Sequence, residues 1–171
     1  MLVVNRFSHA DLNLDIWTET YNIGFYLHYL SRWPDLCCVQ EAPSGRMMGY
    51  VIGKAEGQAA ERHGHVTAIT VAPEYRRLSP ARKMMSLIEL VADETYRGYS
   101  VDLYVRCNNL IAIEMYDGMG YSVYRGVREY YGNLGVGKVR RDEEDAFDMR
   151  KPLSRDSARL RDIIVSAHNV S

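Results

Sequence analysis

Stretches with a helical apolar period take turns along this chain with stretches where apolar and polar residues alternate, the pattern of an α/β protein. Ile23, Tyr26, Leu27, Leu30 and Trp33 recur at helical spacing, which predicts a helix over 22–33 that Pro34 stops. Strands are predicted over 2–7, 37–42 and 47–56, with a helical turn over 11–14. Pro43-Ser44-Gly45 turns the last two strands into a hairpin. A loop over 57–64 leads into a strand over 65–71.

Two strand–helix units follow. Met84, Ile88, Val91 and Thr95 share one face of a helix predicted over 80–96, and Gly98 is suited to end it in a left-handed conformation. Val101, Leu103 and Val105 alternate with Asp102, Tyr104 and Arg106 in the next strand, and a helix over 109–119 ends at Gly120. Strands over 121–131 and 146–151 complete the order. The charge run over 140–145 reads as a solvated loop. Residues 1–153 form one domain in this reading, and 154–171 a tail that is a docking helix or disordered.

Composition narrows the class. The 171 residues, 47% hydrophobic and 25% charged, suffice for one sizeable core. A formal charge of -1 gives no global attraction to nucleic acid or anionic lipid, so a basic site must come from local clustering. The first residues show no secretory leader, and no apolar run approaches the roughly 18 residues of a membrane span, which predicts a cytoplasmic protein. Cys37, Cys38 and Cys107 are odd in number and lack C-x-x-C spacing, so reduced thiols and no metal site are expected.

The local clustering lies over 67–83, where a buried-looking strand runs into T-V-A-P-E-Y-R-R-L-S-P-A-R-K. Helix N-terminal N–H groups attract anions, and Arg76, Arg77, Arg82 and Lys83 surround this helix start. Ser79-Pro80 also reads as an ordinary cap, serine accepting the first N–H groups and proline presetting φ. Capping leaves the three arginines unexplained. In the following helix Asn109 and Tyr116 lie two turns apart on one face, about 10.5 Å, with small Ala112 between them. A ligand can lie along that face, although Tyr116 also fits a core aromatic with a wet hydroxyl.

A strand, then R-R-L-S-P-A opening a helix, then a strand and N-L-I-A-I-E-M-Y-D-G-M-G-Y together resemble the GCN5-related N-acetyltransferases. That resemblance implies a single domain with a mixed, mostly antiparallel sheet of about seven strands flanked by about four helices. Acetyl-CoA would bind where the two central parallel strands splay. Ile69 and Val71 would offer backbone groups to it, and Arg76, Arg77, Ser79, Ala81 and Arg82 would cover its pyrophosphate. Asn109 would meet the pantetheine, and Tyr116 the leaving thiolate. The glycine usual at the fourth position of the turn is Ser79 here, and Pro80 after it removes one N–H.

Further blocks resemble the catalytic subunits of type B N-terminal acetyltransferases. They are T-E-T-Y over 18–21, F-Y-L-H-Y-L-S-R-W-P over 25–34, M-G-Y-V-I-G-K-A-E-G over 48–57 and H-G-H-V-T-A over 63–68. G-Y-S-V-Y-R over 120–125, E-Y-Y over 129–131 and D-A-F-D-M-R-K-P-L-S-R-D over 145–156 continue the likeness along nearly the whole chain. The segment over 12–18 is short for the family.

The resemblance implies acetyl transfer to nascent chains that start with Met followed by Asp, Glu, Asn or Gln. Glu19, Tyr21 and Phe25 would line the methionine and amine pocket, His65 and Thr67 would read the second side chain, and Tyr130 and Tyr131 would close over the peptide. Glu19 and Tyr130 join Tyr116 as catalytic candidates. His65 alone also fits a strand residue facing solvent. A helical-repeat, TPR-like auxiliary subunit and, through it, the ribosome are the implied partners. The competing readings are an acetyltransferase for lysine or a small amine, and a binding protein that has lost turnover.

Overall fold

The computed structural model describes residues 21–131 and 145–156. The expected strand over 2–7, the turn over 11–14, Glu19, most of the charge run and the tail beyond residue 156 lie outside them. The described residues hold three helices and six strands, where about four and about seven were expected.

Helix α1, Ile23–Arg32, starts at Asn22, whose side chain accepts from the Phe25 N–H at 3.0 Å, and Pro34 follows its end. Strands β1, Cys37–Glu41, and β2, Met47–Glu56, form the expected hairpin, with Gly45 at φ 81° in its turn. Strand β3, His63–Val71, pairs antiparallel with β2. Helix α2, Pro80–Glu94, crosses to β4, Ser100–Arg106, which runs parallel to β3. Helix α3, Leu110–Asp117, then leads to β5, Ser122–Val127, and β6, Ala146–Pro152, enters between β4 and β5. The sheet order is β1-β2-β3-β4-β6-β5.

Alternation along the strands splits the core in two. Val66, Val101, Leu103, Val105 and Met149 face α2 and α3 and pack with Met84, Met85, Ile88 and Tyr116. The opposite face carries Tyr50 and Ile52 against Tyr26 and Tyr29 of α1. Helix α2 lies so close to β3 that a Cβ on Gly64 would come within 2.8 Å of the Ala92 Cβ, so only glycine fits there.

Several element ends differ from expectation: β3 starts at His63 instead of 65, α3 ends at Asp117 instead of 119, and two others have a plain physical reason. The strand expected over 121–131 stops at Val127, because its ladder with β6 ends at the Val127–Ala146 pair. Beyond it Glu129 turns to φ 53° and its N–H donates to the Asp145 carboxylate at 2.8 Å. Helix α2 ends at Glu94, so the left-handed position falls on Arg97 at φ 54° rather than on Gly98. Gly98 instead donates its N–H to Ala92 O at 2.8 Å, sealing the helix end.

Candidate active site

Strands β3 and β4 pair only from His63–Ser100 to Val66–Leu103. Past that point β3 continues with β2 and β4 with β6, so the two parallel strands part. The separation has a local cause. Ile52 pairs with Ala68 and Gly53 with Val66, which leaves Thr67 as the extra residue of a β-bulge. The Thr67 hydroxyl is buried and has no hydrogen-bond partner among the described residues. N–H groups alternate sides along a strand, so half of those over 67–71, the segment holding Ile69 and Val71, face the gap instead of β2.

Arg77 and Ser79, at the mouth of the gap, both take left-handed conformations, φ 64° and 65°. Ser79 occupies the N-cap position of α2, but its side chain accepts no capping bond, contrary to the expected serine cap. The left-handed backbone turns the hydroxyl away from the geometry a cap requires, which is extended. Pro80 has no N–H, and the first helical bond runs from Lys83 N–H to Ser79 O at 3.2 Å. The Ala81 and Arg82 N–H groups thus begin the helix with no side-chain cap, beside the exposed Arg76 and Arg77. This arrangement fits an anionic ligand: open donors at the positive end of a 15-residue helix, with guanidinium groups around them.

Helix α3 meets this turn. The Arg82 Nη1 donates to Gly118 O, one residue beyond α3, at 3.2 Å. Asn109 caps α3, its side-chain oxygen accepting from the Ala112 N–H at 3.3 Å, so its amide NH2 is what it can offer to a ligand. Tyr116 is buried in the core cluster, its ring 5.8 Å from that of Tyr121. Burial pushes its phenol well above the usual range, so it keeps its proton through neutral pH.

The other face of the gap is aromatic and charged. Tyr21 stacks on Phe25 at 3.9 Å between centroids, and Phe25 lies 4.7 Å from Tyr29. Tyr130 stacks on Tyr104 at 4.4 Å, and Tyr131 donates its hydroxyl hydrogen to Tyr104 O at 3.2 Å. Burial, aided by the neighbouring Tyr104 and Tyr29 hydroxyls, pushes the Tyr130 phenol up to about 12, so it keeps its proton at neutral pH.

His65 is buried, not solvent-facing. Its ring lies 5.7 Å from Tyr104, and its Nδ1 is 2.8 Å from the carboxylate of Asp102, its register partner on β4. On β6 the fully buried Asp148 accepts from Arg125 Nε at 3.1 Å and from Arg150 Nη2 at 2.8 Å. The sequence reading did not single out Asp102 or Tyr104. Their signal was the polar side of the alternation in β4, which names no partner until the parallel register is known.

Residues 21, 25, 65, 67, 130 and 131 thus gather on the α1 face, and residues 69, 71, 76, 77, 79, 81, 82, 109 and 116 on the α2–α3 side. Glu19 lies outside the described residues. Among those residues no group of three or more His, Cys, Asp and Glu side chains could hold a metal ion.

The architecture is that of an acyltransferase fold, and residues 7–121 match the Acetyltransferase (GNAT) family. The chain is 50% identical over 162 residues to the N-terminal acetyltransferase B complex catalytic subunit NAA20 of Arabidopsis thaliana, covering 91% of this chain and 88% of the relative. A crystal structure of Chaetomium thermophilum Naa20 in complex with a bisubstrate analogue superposes with a TM-score of 0.78 at 45% identity, over 88% of this chain and 83% of that one. The NatB acetyltransferase complex bound to CoA and MES gives a TM-score of 0.72 at 38% identity, over 86% and 96%. The chain belongs to the GNAT acetyltransferases and, within them, to the family of N-terminal acetyltransferase B catalytic subunits.

Proposed function

We propose that this chain is an acetyl-CoA-dependent N-terminal acetyltransferase of the NatB type, acting on the α-amine of nascent proteins that begin Met-Asp, Met-Glu, Met-Asn or Met-Gln. The observation that carries the reading is the parting of β3 and β4 at Thr67, with an uncapped, arginine-flanked helix start on one side and the His65–Asp102 and Tyr104–Tyr130 pairs on the other.

Bound acetyl-CoA would supply an acetyl group already activated as a thioester. The Ala81 and Arg82 N–H groups with Arg76, Arg77 and Arg82 would hold its pyrophosphate, and the Asn109 amide its pantetheine. Gap-facing N–H groups between Ile69 and Val71 would polarise the thioester carbonyl. Tyr116 would hold a proton at Oη for the departing sulfur.

The substrate amine needs little help. An α-amine with a pKa near 7.7 to 8.0 is roughly a tenth neutral at pH 7, whereas a lysine side chain near 10.4 is neutral only about once in 2,500. Tyr21 and Phe25 would wall the methionine pocket, with Glu19 beside the amine. Tyr130 would donate to the peptide backbone, Tyr131, whose hydroxyl hydrogen is held by Tyr104 O, would close over it, and His65 and Thr67 would read the second side chain.

The exposed Ile23 and Leu27 on the outer face of α1 support contact with a helical-repeat auxiliary subunit, through which the enzyme would reach the ribosome in the cytoplasm. No described helix is long and apolar enough to cross a membrane.

A peptide panel tests the reading. With acetyl-CoA, turnover is expected for Met-Asp and Met-Asn peptides well above Met-Ala, and none for a lysine peptide with a blocked N-terminus. Lysine turnover without that preference would favour the alternative enzyme, and cofactor binding without any turnover the binding protein. Replacing His65 and Thr67 with Ala should erase most of the preference for Met-Asp over Met-Ala, about 1–3 kcal/mol of discrimination; retained preference removes them from the role.

A further inference from the structure

We infer that Asp102 fixes the proton of His65 on Nδ1, so that acidic side chains at peptide position two are bound by the doubly protonated imidazolium and amide side chains by the neutral ring. The inference rests on the proposed role of His65 as reader of that position.

The geometry comes from the parallel pairing. His65 and Asp102 are register partners on β3 and β4, both nearly buried, with Nδ1 and Oδ1 2.8 Å apart. A carboxylate accepts, so Nδ1 donates, and a neutral ring then presents a lone pair at Nε2. Among the described residues His65 Nε2 has no hydrogen-bond partner. A lone pair there accepts from the NH2 of an Asn or Gln side chain and repels the carboxylate of Asp or Glu. A second proton turns Nε2 into a donor and reverses that preference.

The surrounding charges have other engagements. Arg150, opposite Asp102 on β6, makes two bonds to Asp148, and Arg125 a third. Lys54, opposite His65 on β2, pairs with Glu56 at 2.7 Å. Arg106 lies over the Tyr131 ring. His63 Nε2 stands 3.6 Å from the second Asp102 oxygen and 4.0 Å from Glu56. Tyr104 and Tyr130, with Tyr29 of α1 behind them, form the aromatic side, where burial pushes the Tyr130 phenol up. Among the described residues His65 and His63 are left to answer a substrate carboxylate with positive charge, and of the two His65 is the one assigned to the position-two pocket.

The test is kcat/KM of the full-length chain for two peptides that differ only by Asp or Asn at position two, measured from about pH 6 to about pH 9. Each peptide's α-amine is titrated separately and its kcat/KM referred to the neutral fraction, so that the ratio reports the enzyme. The Asp/Asn ratio should fall about tenfold from the acidic to the alkaline end of the range. In Asp102→Asn, whose amide can donate to Nδ1 and leave the neutral ring with an Nε2–H, the ratio should be flat, with folding followed by thermal melting. Asp102→Glu and His63→Gln should keep the fall.

A flat wild-type ratio, with both peptides still preferred over Met-Ala, overturns the inference and leaves the functional reading standing. No preference over Met-Ala at any pH overturns the reading itself. Loss of the fall in His63→Gln reassigns the proton to His63 and overturns the inference. A fall that survives in a folded Asp102→Asn does the same; should that variant not fold, the wild-type, Asp102→Glu and His63→Gln profiles decide.

Discussion

The face of the sheet under α2 and α3 is closed with Val66, Val101, Leu103 and Met149 against Met84, Met85 and Ile88, whereas the face toward α1 carries His65, Asp102, Tyr104, Asp148 and Arg150 on the same three strands. Because successive side chains alternate, each strand serves both faces at once. Burying apolar area stabilises the first face at about 25 cal/mol per Å2 and gives it little directional preference. The second face has paired charges and stacked rings, which stabilise less but hold groups in defined geometry. The turn proposed to hold the pyrophosphate belongs to the first face, since α2 is seated by its apolar stripe, and the groups proposed to read the peptide belong to the second.

Asp148→Ala tests the polar face most severely. It leaves Arg150 facing a buried void without its partner, and a loss of about 3–5 kcal/mol is expected in chemical denaturation. A loss below about 1 kcal/mol would mean that water replaces the carboxylate and that this face is not held by its ion pairs. Ile88→Ala is the matching cut on the apolar face, where about 2–4 kcal/mol should go with the cavity. Acetyl-CoA affinity should drop along with it if α2 is seated by that stripe, and unchanged affinity in the destabilised variant would separate the turn from the core beneath it.

Tyr116→Phe probes chemistry from within the apolar face. The volume is nearly conserved, so stability should change little while kcat falls about a hundredfold and KM for peptide stays close to wild type. An unchanged kcat would make Tyr116 a core residue only.

Ser79→Gly is the smallest expected change. Glycine adopts φ 65° without the cost of about 1 kcal/mol that serine bears, so the melting temperature should rise by about 2 °C and acetyl-CoA should bind slightly tighter. A fall in both would show that the serine hydroxyl contributes to the site.

Much of the fold was legible because its signals are local. Pro34, Gly45 and Gly120 punctuate the chain where the structure ends or turns its elements, and the alternation in β4 separates its two faces before any partner is known. The arginine-flanked helix start over 76–83 was legible from composition and spacing, and its role as an anion site is the proposal built on it. What local pattern could not supply was the conformation of Ser79, whose hydroxyl by composition alone is a cap and by backbone angle is not. Arg97 is a similar case, taking the left-handed position expected of Gly98 because α2 ends at Glu94.

The sequence by itself determined the order of elements, the apolar stripe that seats each helix and the residue types available to each face, because those depend on spacing along one chain. Tertiary structure alone decided that β3 and β4 part at Thr67, that His65 meets Asp102 and that Tyr130 stacks on Tyr104. Each of these depends on the register between strands remote in sequence, and a shift of one residue would send the same side chains to the opposite face.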